Sequence, residues 1–211
     1  MDGLKNTLIL TAFGIILGTV LGILLAIGRS YGWRPISFLI FIYEKVLRGI
    51  PLLVLLFLIY FGSSQIGINL DPFSAAILGL GLRSAAYQAQ IYRGAINSLP
   101  EGQITAAYSL GMSKVKAIQH VVLPQVLRLS IPGWSNEFTI LLKDTSLAFS
   151  IGVIELMRQG RYIQVREPDL ALLVFLIIAL IYFILVISAN KTLRYMEKKY
   201  QMSGYATEVH R

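Results

Sequence analysis

Residues 139–152, TILLKDTSLAFSIG, set Lys143 and Asp144 side by side in an otherwise apolar run, and Glu137 precedes Asp144 by seven residues. A second apolar stretch, 72–92, carries one charge, Arg83, with Ser84, Tyr87, Gln88 and Gln90 close by. A charged side chain near the centre of a bilayer costs about 2.5–3.5 kcal/mol on insertion scales. Four of them must therefore face one another or a wet cavity. Residues seven apart lie nearly in line on a helix, so Glu137 and Asp144 share a face, with Asn136 and Lys143 on the neighbouring stripe. Two polar stripes facing each other would line a passage through an apolar wall, and such a lining suits a small zwitterion. Arg83, Ser84 and the segment Lys143, Asp144, Thr145 and Ser146 are candidates to meet a carboxylate. Glu137 or Asp144 would meet an ammonium or a cationic side chain, and Gln88 lies beside Ser84 on the same wall. The competing reading is structural: Lys143 with Asp144, or Arg83 with Glu137, as ion pairs that fix helix register, with Lys143 snorkelling to the outer interface.

Chemistry of other kinds has no residues to carry it. No G-x-x-x-x-G-K-[ST] loop occurs, and no glycine is followed by lysine. His120 and His210 are the only histidines, no H-E-x-x-H or G-x-S-x-G is present, and there is no cysteine. The expectation is no catalytic residue, no metal site and no cofactor held by this chain.

The elements that must position these charges follow from composition. The 211 residues are 55% hydrophobic and 14% charged, against about 25% charged in soluble domains. Segments 7–27, 49–70 and 170–190 hold no charged residue, and each reaches the roughly 20 residues a helix needs to cross a hydrocarbon core. Only helices or closed barrels satisfy the backbone in lipid, and strand alternation is missing. The expected fold is all-α: a single polytopic membrane domain over 1–211 with five transmembrane helices, at about 6–28, 49–68, 72–94, 129–154 and 170–192. The stretch 36–43, followed by Glu44, Lys45 and Arg48, is too short to cross and reads as an interfacial lead-in, with a sixth span as the alternative.

Five spans place three basic segments on one side: Arg29, Arg34, Lys45 and Arg48; Arg93, Lys114, Lys116 and Arg128; and Lys191, Arg194, Lys198, Lys199 and Arg211. By the bias of cytoplasmic loops toward Lys and Arg, that side is the cytoplasm, with the N-terminus outside and the C-terminus inside. Arg158, Arg161 and Arg166 in the outer loop run against the pattern, partly balanced by Glu155, Glu167 and Asp169. The net charge of +8 is thus a topology signal and calls for no nucleic-acid partner. Gly14, Gly18 and Gly22 recur every four residues, and Ala75, Gly79, Ser84, Ala85, Ala86 and Ala89 line the third span. Small residues at this spacing let helices approach closely.

The long inner segment, NSLPEGQITAAYSLGMSKVKAIQHVVLP at 97–124, predicts two short helices. A capping box of Ser98 and Glu101 would open the first, Gly111 would turn left-handed at its end, and Ser113 would start the second, which Pro124 would end. Ala106, Ala107, Leu110 and Gly111 leave a small, mildly apolar surface flanked by Tyr108, which either invites another protein to dock or rests on lipid or on the protein itself.

The spacing EGQITAAYSLG followed by VVLP resembles the cytoplasmic coupling loop of permease subunits in binding-protein-dependent ABC importers. Ala106, Ala107, Gly111, Leu123 and Pro124 match, and Thr105 stands where the family usually has Glu. RGIPLLVLLFLIYFG at 48–62 and LLKDTSLAFSIGVIEL at 141–156 resemble the branch that moves polar amino acids. The resemblance implies a type I importer permease in a prokaryotic inner membrane, with Thr105 to Gly111 docked in a groove of a separate cytoplasmic ATPase that binds ATP and Mg. It also implies a second permease copy or homologue, an extracytoplasmic substrate-binding protein, surrounding lipid, and an amino acid as cargo. Two acids on one face lean toward arginine, lysine, histidine or glutamine. The alternative is a secondary transporter or channel for small zwitterions driven by an ion gradient.

Overall fold

A computed structural model describes residues 2–200; Arg211 and His210 lie outside the described residues. The described chain is all-helical, with no strand. In chain order it forms α1 (Asp2–Tyr31), α2 (Arg34–Gly49), α3 (Leu52–Gln65), α4 (Pro72–Asn97), α5 (Gly102–Ser109), α6 (Lys114–Ala117), a π turn (Ile118–Val122), α7 (Leu123–Leu129), α8 (Ile131–Asp144), a 3-10 stretch (Thr145–Ile151), α9 (Leu156–Arg166) and α10 (Ala171–Tyr200). By length and apolarity alone, α1 and the stretch 168–200 suffice to cross a bilayer, and α2 with α3 adds a third as a pair bent by 108°. The expected segments 49–68, 72–94 and 170–192 fall on α3, α4 and α10.

α1 packs along α4 through its glycines. Gly14, Gly18 and Gly22 are buried. A Cβ built at Gly18 would stand 2.7 Å from Gln88 Nε2 and 2.8 Å from Ser84 Oγ, and one at Gly22 would stand 2.8 Å from Gln88 Cβ. The small residues of α4, Ala75, Gly79, Ser84, Ala85, Ala86 and Ala89, are buried too. With no hydrophobic drive between helices in lipid, this close backbone approach supplies dispersion contact instead. The opposite flank of α1 exposes Phe13, Ile16, Val20 and Leu24, and α10 exposes Leu172, Leu176, Leu180, Phe183 and Ile187.

Two apolar clusters close the bundle at its two ends. One gathers Leu10, Leu52, Leu56, Ala76, Leu80 and Ile151; the other gathers Ala26, Tyr92, Ala95, Val122 and Val126. Asp71 opens α4 between α3 and the first cluster, its carboxylate accepting from the Phe73 and Ser74 N–H groups at 3.0 and 3.1 Å. Hydrogen bonding to Ser74, then to Phe73, holds the Asp71 carboxyl below its ordinary value.

Three expectations are corrected. Ser98 does not form a capping box with Glu101: its backbone is still helical, it closes α4, and its hydroxyl donates back to the Ala95 carbonyl at 2.9 Å. An N-cap needs extended backbone, and Glu101, at the α5 N-cap, makes no side-chain cap. Pro124 does not end a helix. The π turn lets Leu123 N–H reach the Ile118 carbonyl, so Pro124 sits in the first turn of α7, where its missing N–H is harmless, and helix runs on to Leu129. The segment 129–154 is not one α-helix. After Asp144 the chain tightens to 3-10 geometry, with Thr145 and Ser150 hydroxyls bonded three residues back to Leu142 and Leu147 carbonyls at 2.7 Å each, and Gly152 ends it at φ +101°.

The lead-in at 36–43 belongs to α2, a helix distinct from α3. It exposes Trp33 at its N-cap together with Phe38, Leu39, Ile42 and Val46, and buries only Glu44. Arg29 Nη1 holds its start by donating to the Ser37 hydroxyl and carbonyl at 2.7 and 3.0 Å.

Candidate functional site

Between the two apolar clusters lies a belt of buried and half-buried polar side chains. Thr19, on α1, is seven and nine residues from Ala26 and Leu10, about 10–14 Å from each along the helix. Its hydroxyl accepts from Trp134 Nε1 at 2.9 Å and donates to Gln88 Oε1 at 3.0 Å. Tyr92 donates to the same oxygen at 2.9 Å. Gln88 Nε2 donates to Ser84 Oγ at 3.1 Å, and Ser84 donates to Glu137 Oε1 at 2.8 Å. Every donor in the chain points toward the Glu137 carboxylate. Aligned hydrogen bonds in a low-dielectric interior polarise one another, so α1, α4 and α8 are joined by one directed network ending on one acid. Gln88 and Glu137 are 0% and 4% exposed.

Beside the belt, Arg83 Nη1 meets Asp144 Oδ2 at 2.6 Å, the two side chains 21% and 24% exposed. Ser84 and Arg83 are neighbours on α4, and Glu137 and Asp144 lie two turns apart on α8, as their spacing predicts. The partners differ from the alternatives in the sequence: Arg83 pairs with Asp144, Glu137 is held by Ser84, and Lys143 is exposed and forms no ion pair among the described residues. The Arg83 guanidinium also lies over Tyr87, 5.0 Å from its ring centre. Thr145 is fully buried with its hydroxyl turned to its own backbone, while Ser146 is half-buried. The structure thus brings Arg83 to Asp144 and Ser84 with Gln88 to Glu137; it does not bring Lys143 or Thr145 to either pair.

Several residues escaped the sequence reading. Tyr92 continues the Ser84–Gln88 line at four-residue spacing, a visible signal. Thr19 and Trp134 carry no such mark. Glu44 was only a span flank in sequence, yet it is 1% exposed, with Oε2 at 3.6 Å from Arg93 Nη1 and 3.4 Å from Gln90 Nε2. Its place on the one buried position of an amphipathic helix is the cue. Glu155 caps α9, accepting from the Met157 and Arg158 N–H groups and, at 3.3 Å, from Tyr182. The arginines that ran against the charge pattern are partly engaged: Arg158 donates to the Phe149 carbonyl at 2.9 Å, and Arg161 lies over the Phe149 ring.

At the end of the bundle that holds the α1 C-terminus, α5 presents Thr105, Ala106 and Tyr108 outward, and Leu110, at its C-cap, is 80% exposed. Ala107 is buried beneath them. Gly111 turns left-handed at φ +79°, and Ser113 caps α6 by accepting from Lys116 N–H. Lys114 Nζ donates to the Tyr31 carbonyl at 2.5 Å, tying the loop to α1.

The chain matches the family described as binding-protein-dependent transport system inner membrane component over residues 18–201. It is 39% identical over 183 residues to the L-cystine transport system permease protein TcyB of Bacillus subtilis (strain 168), covering 87% of this chain and 78% of that one. It is 34% identical over 201 residues to the glutamine transport system permease protein GlnP of Escherichia coli (strain K12), covering 94% and 91%. A chain from a crystal structure of an amino acid ABC transporter with histidines superposes with TM-score 0.84 at 36% identity, covering 94% of this chain and 92% of that one. A methionine ABC transporter chain, 19% identical, shares the fold at TM-score 0.67, with 92% of each chain covered. A helical bundle with a buried polar belt, a family match across most of its length and relatives aligned over more than three quarters of their own make this chain a member of the inner membrane components of binding-protein-dependent transport systems, which are transport components and not enzymes.

Proposed function

We propose that this chain is the permease subunit of an ABC importer for polar amino acids, leaning to arginine, lysine, histidine and glutamine. The observation that carries it is the Arg83–Asp144 pair, a cation and an anion that stay partly open on a helical wall while the acid behind them, Glu137, is enclosed. An incoming α-carboxylate competes with Asp144 for Arg83, and an α-ammonium or a basic side chain competes with Arg83 for Asp144. Ser84, Gln88 and Glu137 support that wall from behind, and Lys143, Thr145 and Ser146 flank it in sequence. The relatives named for cystine and glutamine and the neighbour solved with histidines support the substrate class.

In this reading the chain crosses a prokaryotic inner membrane five times, N-terminus outside, and pairs with a second copy or homologue to enclose the passage. The end that holds α5 is cytoplasmic. Thr105, Ala106, Tyr108, Leu110 and Gly111 dock on an ATPase subunit that binds ATP and Mg, with Ala107 packed beneath them instead of touching the partner, and an extracytoplasmic binding protein delivers cargo at the opposite end. Proteoliposomes holding the complete complex test this. Uptake of labelled amino acid requires ATP inside the ATPase-facing compartment and is inhibited by unlabelled arginine or glutamine more than by leucine. Uptake that persists without ATP and collapses with the ion gradient overturns it, and efficient inhibition by leucine but not arginine removes the polar lean.

The turn after α5 gives a second test. Left-handed backbone costs a residue with a Cβ about 1–2 kcal/mol, equivalent to about tenfold in an equilibrium. Gly111→Val is expected to lower ATP-driven uptake by about tenfold while the chain still inserts and still binds substrate. Gly102→Val, at a glycine with nothing within 4 Å and no positive φ, leaves uptake near wild type.

A further inference from the structure

A cavity of about 750 Å³ opens where the end of α4, the α7–α8 joint and the end of α10 converge. Its floor is apolar, from Ile91, Leu129 and Ile131, and Arg128, Lys198 and Glu197 line it as well. Ser130 also lines it and is 2% exposed, yet its hydroxyl has no partner among the described residues. A buried hydroxyl without a partner costs about 1–3 kcal/mol, and serines in helices commonly bond back to a carbonyl one turn earlier; this one does not. A second cavity of about 320 Å³ adjoins through Pro132 and Glu197 and adds Arg194 and Ser135, whose hydroxyl is likewise unpartnered.

We propose that this cavity binds an anionic phospholipid through its phosphodiester, with a phosphatidylglycerol-type head group. Arg128 and Lys198 supply the counter-charge, with Arg194 in the adjoining recess. The hydroxyl of Ser130 donates to a phosphate oxygen. Glu197, which would repel a bare phosphate, accepts from the head-group hydroxyls that phosphatidylglycerol carries and phosphatidylcholine lacks. The apolar floor takes the start of an acyl chain, for which a free amino acid has no use. Tyr195 and Met196 of α10, next in sequence to the lining residues Glu197 and Lys198, are exposed, and aromatic rings such as Tyr195 sit at the head-group level of a bilayer. Basic pockets between helices at a membrane face are a recurring head-group chemistry. The inference goes beyond the transport reading and does not depend on it, because its readout is bound lipid.

The purified chain in neutral detergent, incubated with equimolar phosphatidylglycerol and phosphatidylcholine and then washed, is expected to retain phosphatidylglycerol selectively. Arg128→Gln and Lys198→Gln each lower that retention by about fivefold, the value of one charge near a lipid surface. Arg128→Lys keeps most of it, and Lys116→Gln, which removes an equal charge outside the cavity, leaves it unchanged. Equal retention of the two lipids, or loss in Lys116→Gln as large as in Arg128→Gln, overturns the proposal. Glycerol 3-phosphate, which has the phosphate without acyl chains, does not displace the lipid; displacement at comparable concentration would assign the cavity to a free phosphate and overturn the lipid assignment.

Discussion

Gly18→Leu leaves the chain unable to hold α1 against α4. A single methyl at this position already falls 2.7–2.9 Å from three atoms of Gln88 and Ser84, closer than real side chains approach. A whole leucine has to push the helices apart or displace Gln88, which is fully buried and bonded to Ser84, Thr19 and Tyr92. Overpacking alone costs about 1–3 kcal/mol, and each buried polar group that loses its partner adds about 1–3 kcal/mol. The sum is comparable to the whole stability margin of a typical domain, about 5–15 kcal/mol. The expected result is loss of the monodisperse peak in size-exclusion chromatography of detergent-solubilised protein. Gly18→Ala is expected to be intermediate, because the Gln88 amide end can shift. Gly62→Leu, at a glycine with open space around it, behaves as wild type. If Gly18→Leu were as stable as Gly62→Leu, the glycine seam would carry no packing role.

The second large effect separates a wall of charge from a mere clasp. Arg83→Gln leaves Asp144 without its cation, and Asp144→Asn leaves Arg83 without its anion. Breaking a fully buried pair costs about 3–5 kcal/mol, and exposure of both side chains reduces that here. Each single change is expected to cut the rate of substrate uptake by at least about tenfold, about 1.4 kcal/mol. The double change Arg83→Gln with Asp144→Asn removes both charges, so the chain regains wild-type thermal stability. Uptake stays low, because the wall then offers cargo neither the Arg83 cation nor the Asp144 anion. If the double change restored uptake as well as stability, the pair would be a structural clasp and the passage would lie elsewhere.

The contrast between these two sites shows what a one-dimensional chain reveals. The glycines on α1 and the small residues on α4 were legible because close packing constrains each helix separately, at a spacing fixed by 3.6 residues per turn. The left-handed Gly111 and the Ser113 cap were legible for the same local reason. Partner choice among Arg83, Glu137, Lys143 and Asp144 was not, because it depends on how α4 is rotated against α8. Spacing along one helix placed Glu137 and Asp144 on one face correctly; it contains no angle between helices. Ser98 failed as a cap because the last turn of α4 extends to it, a boundary that small-residue composition does not mark. Pro124 failed as a terminator because a π turn just before it relieves the hydrogen bond a proline cannot make.

The two apolar clusters with a polar belt between them have a mechanical consequence. Close-packed methyls at each end resist sliding, since any shift opens a void that nothing refills. Hydroxyl and amide contacts at the waist can be exchanged one at a time for others of similar strength. The glycine seam holds α1 against α4 through that waist, so rearrangement there falls to side chains, and Ser84, Gln88 and Glu137 are the groups placed to exchange partners.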